Sequence, residues 1–183
     1  MGDVVIVGCD PGFASMGLAL VRLSDARPLV VEVEVIQTAK ANKKQNILSS
    51  EDNVERARKL VRLFSTWLVP AQLIGAESMS FARNAGAAHK VGIAWGVIVA
   101  VAEREHVPIC QTSPQDVKLR VAGAKTASKG DVKLAVTRQC DFSMAAGAYL
   151  EDLALGQHEH AYDAIACALA TVDGDLVRGL RRR

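Results

Sequence analysis

The sequence predicts an α/β fold: a five-stranded mixed sheet, made of an antiparallel meander plus two parallel strands, with helices on both faces. An apolar run over residues 4–7 leads into Asp10, as expected of a strand that is buried on both faces. A second apolar run over residues 73–76 leads into Glu77 in the same way. Between these runs, residues 54–68 carry apolar side chains at helical spacing. Strand–helix–strand crossovers are right-handed, which restricts how the later strands can add to the sheet.

The first three strands follow one another closely. Residues 15–23 are the second predicted strand, and a turn at residues 24–28 separates it from the third, residues 29–37. Val31, Val33 and Val35 alternate there with glutamates, which indicates one buried and one solvated face. Because the connections are short, these strands form the antiparallel meander.

Helices and strands alternate in the rest of the chain. The helix after the meander is capped by Ser49 or Ser50 and ends at Pro70. Residues 85–105 form a long helix whose small side chains permit close packing on the sheet or on a second subunit. Residues 107–112 are the fifth strand, and Ser113 with Pro114 opens a helix. Further helices cover residues 131–139 and 160–172, whereas residues 141–157 are irregular or short-helical.

Length and composition indicate a single domain over residues 1–174, followed by a basic, disordered tail over residues 175–183. The four scattered cysteines are typical of structural thiols, so we expect a cytoplasmic protein. We expect no membrane span, because Arg104 and Glu105 end the longest apolar run. The net charge of +2 is too small to indicate a nucleic-acid partner.

Four side chains are predicted to form the functional site. Asp10 and Glu77 end strands that can lie parallel and adjacent, at the sheet edge where open α/β sheets bind ligands. His160 and Asp163 are three residues apart in the last helix, so they share one face. Converging carboxylates repel unless a proton or a cation intervenes, and Mg²⁺ prefers oxygen ligands. This set suits two-metal phosphodiester hydrolysis, with His160 as a metal ligand or a proton acceptor.

Each of these residues also has a purely structural interpretation. Asp10 could begin the Pro-Gly turn, Glu77 could belong to a loop, and a single His-x-x-Asp pair often has a capping or surface role. Zinc binding by His158, His160 and Cys167 is disfavoured, because their spacing matches no structural zinc pattern. The functional interpretation depends on the coincidence of all these groups in one chain order.

The same residues resemble the motifs of a known family. Asp10-Pro11-Gly12, Glu77 and residues 160–164 (His-Ala-Tyr-Asp-Ala) look like the RuvC-type Holliday junction resolvases of the RNase H-like (retroviral integrase) superfamily. The similarity extends to residues 81–84, to the long helix with the strand after it, and to basic segments at residues 115–118 and 123–129. It covers nearly the whole chain.

The resemblance implies a homodimeric endonuclease that uses Mg²⁺, two ions per active site, with Mn²⁺ as a substitute. Such enzymes act in DNA recombination and repair, where they nick two opposed strands of a four-way junction symmetrically and leave 5′-phosphate and 3′-hydroxyl ends. A branch-migration helicase is a candidate partner. The resemblance makes four residues catalytic and metal-binding: Asp10, Glu77, His160 and Asp163. It assigns DNA contacts to Lys118, Lys125, Lys129, Phe81 and Arg83.

Three positions depart from the family pattern. His160 stands where many members have Asp. Lys125 replaces the usual second glycine after Gly123, and either adds a phosphate contact or changes the loop. The aromatic residue that members insert at the junction centre is shifted by one, with Ser80 in its place and Phe81 next to it. Phe81 is therefore either a stacking wedge or a core residue.

Other functions are compatible with the sequence. A less selective branched-DNA nuclease would have the same site, and a catalytically silent junction-binding protein would need only the basic residues. Actin-like and sugar-kinase ATPases also open with Asp-x-Gly, but they need a second, duplicated domain, for which this chain is too short. Lys40, Lys43 and Lys44 are more typical of a solvated loop than of a DNA contact, and the C-terminal arginines add only non-specific phosphate attraction.

Overall fold

The structure, a computed structural model, describes residues 3–40, 48–79 and 84–182. The strands are β1 Val4–Asp10, β2 Ser15–Leu23, β3 Leu29–Gln37, β4 Leu73–Glu77, β5 Ile109–Thr112 and β6 Asp141–Phe142. The α-helices are α1 Ser49–Leu68, α2 Ala85–Arg104, α3 Pro114–Ala122, α4 Lys129–Gln139, α5 Met144–Asp152, α6 His158–Leu169 and α7 Asp175–Arg181, and a 3₁₀ turn, Leu155–Gln157, precedes α6.

The strands form one mixed sheet in the order β5-β4-β1-β2-β3-β6. β1, β2 and β3 are the antiparallel meander, and β4 and β5 extend the sheet as parallel strands beside β1. This confirms the predicted architecture for five strands. The sixth strand was not expected: Asp141 and Phe142 pair in parallel with Leu29 and Val30. A pairing of two residues is too short to leave a periodic pattern in the sequence.

Helices cover both faces of the sheet, as predicted. Side chains alternate between the two faces along a strand, so in β1 Ile6 packs on one side while Val7 and Cys9 pack on the other. α6 lies across β1, β2 and β4 on the Ile6 side, and α3, α4, α5 and α7 contribute to the same core. α1 and α2 cover the opposite face. The site described below lies on the α6 side.

The start of α1 and the segment at residues 141–157 differ from the sequence-based expectation. Neither Ser49 nor Ser50 caps α1, because Leu48 occupies the N-cap position and both serines lie inside the helix. The segment at residues 141–157 is more regular than expected, since it holds β6, α5 and the 3₁₀ turn. Ser143 caps α5, its hydroxyl oxygen accepting a hydrogen bond from the Ala146 N–H at 3.1 Å. A short helix that contains a glycine carries too weak a pattern to be predicted.

Two further expectations are corrected by the helices at the surface. The C-terminal segment is not disordered over its whole length, because residues 175–181 form α7 and Val177 is buried. α2 ends at Arg104, as the sequence indicates, but by length and composition it is long and apolar enough to cross a membrane, contrary to the expectation that no apolar run reaches that length. One side of α2, including Trp95 and Ile98, is buried in the core, and Gly92 and Gly96 lie on the exposed side.

Candidate active site

Asp10 and Glu77 end two neighbouring parallel strands. Cys9 of β1 is in register with Ala76 of β4, so the next residue of each strand is a carboxylate. Both carboxylates also share a face of the sheet. Asp10 is four residues after Ile6 and Glu77 is four residues after Leu73, so each lies on the same face as a residue of the α6-side core. Strand register and parity therefore place both carboxylates on the α6 side at one edge of the sheet.

Three glycines allow α6 to lie directly on this part of the sheet. A Cβ atom at Gly8 would stand 2.0 Å from the carbonyl oxygen of Ala164, and one at Gly17 would stand 2.1 Å from that of His160. Gly75, which is in register with Gly8, would meet the α6 backbone at 2.7 Å. Only residues without a side chain permit this approach. It brings the first turns of α6 over the ends of β1 and β4.

The four predicted side chains, Asp10, Glu77, His160 and Asp163, line one cavity of about 300 Å³. The rest of its lining consists of Lys118 and Val117 with Pro114 from α3, and Lys129 and Val132 from α4. His160 Nδ1 lies 2.7 Å from Asp10 Oδ2. When the imidazole is neutral with its hydrogen on Nδ1, Nδ1 donates to the Asp10 carboxylate and Nε2 keeps a free lone pair.

The carboxyl groups of Glu77 and Asp163 have raised pKa values, because the cavity does not fully stabilise their negative charges. Burial, followed by the charges of Asp10 and Asp163, raises the pKa of Glu77 to about 7. Burial and the charge of Asp10 raise the pKa of Asp163 to about 6. The hydrogen bond to Asp10 is the largest contribution that raises the pKa of His160. Crowded carboxylates of this kind are stabilised by bound cations.

The donor set fits hard divalent cations. Three carboxylates supply the oxygen ligands that Mg²⁺ prefers, and the imidazole adds a nitrogen ligand. Within residues 3–40, 48–79 and 84–182, no group of three or more His, Cys, Asp or Glu side chains is already gathered around a single point. The site residues therefore share a cavity of the right chemistry without forming a closed ligand shell.

Two of the predicted DNA-binding lysines border the cavity and one does not. Lys118 and Lys129 line it, and the Lys129 ammonium donates to the Glu159 carboxylate. Lys125 lies in the exposed loop before α4, with its ammonium 3.7 Å from Asp116. The remaining two predicted DNA contacts, Phe81 and Arg83, fall outside the residues that the structure describes.

Sequence reasoning missed the glycines that support the site. A signal was present, since Gly8-Cys9-Asp10 and Gly75-Ala76-Glu77 each place a glycine two residues before the strand-ending carboxylate. Two residues is the spacing at which side chains share a face of a strand. The repeated pattern therefore marks one face that is both flat enough to accept a helix and acidic at its end.

The strand order and the acidic cavity define a nuclease-type protein of the RNase H-like class. The family model of "Crossover junction endodeoxyribonuclease RuvC" matches residues 6–171. The chain belongs to that family.

Relatives and solved structures agree with this assignment. The protein named crossover junction endodeoxyribonuclease RuvC from Prochlorococcus marinus (strain MIT 9211) is 31% identical over 140 residues, which is 76% of this chain and 84% of that protein. The protein of the same name from Pseudothermotoga lettingae is 31% identical, over 71% of this chain and 76% of that protein. RuvC of T. thermophilus in complex with a Holliday junction substrate superposes with a TM-score of 0.73 at 26% identity, covering 92% of this chain and 93% of that one.

A more distant structure supports the fold alone. The yeast mitochondrial Holliday junction resolvase Ydc2 has a TM-score of 0.67 at 12% identity, with 97% of this chain and 83% of that chain covered. At that identity the likeness carries no information about individual site residues. It shows that the sheet and its helices can be retained while most side chains change.

The raised pKa values predict a pH-dependent stability in metal-free protein. Between the ordinary Glu pKa of 4.5 and the value of about 7 in the fold, the folded protein binds more protons at Glu77 than the unfolded chain does. The free energy of unfolding therefore falls as pH rises through this range, and the penalty is absent at lower pH. We expect Glu77→Gln to stabilise the metal-free protein at pH 8 by roughly 1–2 kcal/mol, a value reduced for partial solvation, and to change little at pH 4.5.

Urea denaturation in EDTA at the two pH values measures this difference. Glu32→Gln is the matched control, because Glu32 is an exposed strand glutamate outside the cavity. An equal stabilisation by Glu77→Gln at both pH values would contradict the proposed crowding. Added Mg²⁺ should stabilise the wild type more than the variant at pH 8.

Proposed function

We propose that this protein is a structure-selective DNA endonuclease that resolves four-way (Holliday) junctions by paired, symmetric nicks. The observation that carries the proposal is one cavity lined by Asp10, Glu77, His160 and Asp163 beside two lysines. It is supported by membership of the RuvC family and by the likeness to a RuvC structure in complex with a Holliday junction substrate. Hydrolysis would leave ligatable 5′-phosphate and 3′-hydroxyl ends.

We propose that the cavity holds two Mg²⁺ ions, which Mn²⁺ can replace, through the oxygens of Asp10, Glu77 and Asp163. Such ions activate a water molecule and stabilise the leaving 3′ oxygen when bound. His160 is anchored by Nδ1 on Asp10, so Nε2 is the atom available to take a proton from the attacking water or to ligate an ion. Lys118 and Lys129 would hold the phosphates on either side of the scissile bond.

A cleavage assay with end-labelled strands tests the function. A four-way junction, a fork and a linear duplex of the same sequence are incubated with Mg²⁺, Mn²⁺ or EDTA. We expect symmetric nicks in opposed strands of the junction alone, with either metal and not with EDTA. Comparable cutting of the fork would favour a general branched-DNA nuclease. Junction binding without nicking in any metal would favour a silent binding protein.

The lysines beside the cavity predict a change in the salt dependence of DNA binding. Removing one lysine–phosphate interaction should lower the slope of log K against log salt concentration by about 0.9. We therefore expect Lys118→Ala and Lys129→Ala each to reduce the slope by about that amount. Lys125→Ala decides whether the third lysine also touches phosphate. Lys59→Ala, on α1 at the opposite face, is the control. A slope unchanged by both cavity variants would remove these residues from the DNA interface.

We propose that the exposed side of α2 forms the homodimer interface. The helix is apolar over most of its length, yet only about a third of that apolar stretch is buried within the subunit. Added Cβ atoms at Gly92 and Gly96 would meet nothing within 4 Å, and Val99 on the same side is 50% exposed. A continuous apolar surface with room for close helix approach supports pairing of two copies.

A charged side chain at this surface should separate the subunits. We expect the wild type to sediment as a dimer and Gly96→Glu as a folded monomer, because the new carboxylate has open space in the subunit but not between two helices. Gly179→Glu is the matched control, since an added Cβ there is equally unobstructed and lies on α7. A dimer that survives Gly96→Glu would place the interface elsewhere.

A further inference from the structure

One arginine is buried in α1, on the face of the sheet opposite to the cavity. Arg56 is 6% exposed, although a guanidinium is almost always charged and costly to bury. Its ion-pair partner, Asp52, lies one turn earlier in the same helix at 3.7 Å. An apolar residue of similar size would fill this position without that cost. The contacts of the guanidinium therefore need a reason besides packing.

The guanidinium is directed at the turn that follows the first catalytic carboxylate. Residues 11–14 connect Asp10, the last residue of β1, to β2. The Arg56 guanidinium lies over the Phe13 ring, 4.3 Å from its centroid, and Phe13 is 3% exposed. Stacking of this kind is stronger on a desolvated ring than on an exposed one. Arg56 thus holds the side chain at the centre of the turn.

A relay through Thr38 holds the backbone of the same turn. Arg56 Nε donates to Thr38 Oγ1 at 3.0 Å, and that hydroxyl in turn donates to the Phe13 carbonyl oxygen. The Thr38 N–H donates to the Ala14 carbonyl oxygen at 2.8 Å. Thr38 is also buried, so its hydroxyl has no competing solvent. Thr38 therefore holds the carbonyl groups of Phe13 and Ala14, and Arg56 contacts the Thr38 hydroxyl from α1.

We propose that Arg56 is a positioning residue for the nuclease reaction, acting through Thr38 and Phe13. Through Phe13 and Thr38, it holds the turn after β1 so that the Asp10 carboxylate stays opposite His160 in the cavity lining. This inference rests on the proposed function, because the role that it assigns to Arg56 is a role in that reaction. A displacement of about 1 Å at a reacting group can cost roughly 10²-fold in rate.

Substitutions that keep the packing and remove the relay test this role. Arg56→Met retains the apolar stem, and Thr38→Val retains the shape while removing the hydroxyl. With saturating junction and Mg²⁺, we expect each to lower the single-turnover nicking rate by about 10- to 100-fold. The Kd for the junction, measured in EDTA, should stay within about twofold of the wild-type value. Thr38→Ser, which restores the hydroxyl, should nick at nearly the wild-type rate.

Lys59→Met is the matched control for removal of a tether on the same helix. Lys59 Nζ donates to the Gln37 carbonyl oxygen at 2.9 Å, so it links α1 to β3 without reaching the turn. We expect its nicking rate to equal that of the wild type. The combined Arg56→Met and Thr38→Val variant should nick no more slowly than the slower single variant, because both remove one relay.

The outcomes separate the two proposals. A wild type that fails to nick junctions refutes the proposed function. A wild type that nicks, with Thr38→Val and Arg56→Met nicking at the same rate when saturated, refutes the positioning role alone. The positioning role is also refuted if the nicking rates of Arg56→Met and Thr38→Val fall only in proportion to the fraction of folded protein. It is refuted as well if Thr38→Ser nicks as slowly as Thr38→Val. Should Arg56→Met fail to fold, the Thr38→Val and Thr38→Ser pair carries the test.

Discussion

Replacing Asp10 with Asn is expected to lower the nicking rate by roughly 10²- to 10⁴-fold, the range for loss of a group essential to proton transfer or its alignment. The side chain keeps its size but loses the charge that anchors His160 Nδ1 at 2.7 Å and that would bind cations beside Glu77. Junction binding should be retained or slightly tightened, because one negative charge is removed near the DNA backbone. Single-turnover nicking and an equilibrium binding assay measure the two effects separately.

Asp3→Asn provides the control for Asp10→Asn. It removes one carboxylate just before the other end of the same strand, from an exposed position far along β1 from the cavity. Its nicking rate should equal that of the wild type. Nicking by Asp10→Asn at more than about a tenth of the wild-type rate would exclude Asp10 from the essential chemistry.

Gly17→Ala is expected to destabilise the fold by about 3 kcal/mol or more, at the upper end of the range for overpacked cores. The new methyl group would stand 2.1 Å from the His160 carbonyl oxygen, so α6 must move away from the sheet. The melting temperature should fall by about 6–12 °C for a chain of this length. Because His160 and Asp163 move with α6, the molecules that stay folded should also nick more slowly.

Gly147→Ala distinguishes this steric effect from a general effect of adding a methyl group. Gly147 lies in α5 with a negative φ, and an added Cβ would meet nothing within 4 Å. The substitution should stabilise the protein by about 0.4–1 kcal/mol through the unfolded state. A Gly17→Ala variant as stable as the wild type would show that α6 does not depend on contact with this glycine.

Much of the fold could be predicted because its central strands are unambiguous. The apolar runs before Asp10 and Glu77 indicate buried strands, and a three-stranded meander followed by a helix allows the fourth strand to lie parallel beside the first. Parallel neighbours end at the same edge, so the meeting of these two carboxylates followed from topology. His160 and Asp163 could be placed together from helical spacing alone, and all four residues line the cavity. Their catalytic roles stay predictions for the variants above.

Other features depend on packing that a single sequence does not express. β6 is held by only two residue pairs, and α5 begins at a serine cap within a segment of mixed character. Gly8 and Gly17 look like ordinary strand residues until the helix that lies against them is known. Arg56 gave no signal either, because its partners, Phe13 and Thr38, come from separate segments of the chain.

The hydrogen bond between Asp10 and His160 joins residues that are 150 positions apart. Because the chain is synthesised from its N-terminus, Asp10 is made long before His160. Until α6 is made, the glycine-lined surface of β1 and β2 has no helix to cover it, and the proposed site lacks two of its four residues, His160 and Asp163. A chain released before α6 is made would expose this apolar surface and would be prone to aggregate. It would also lack the proposed four-residue site.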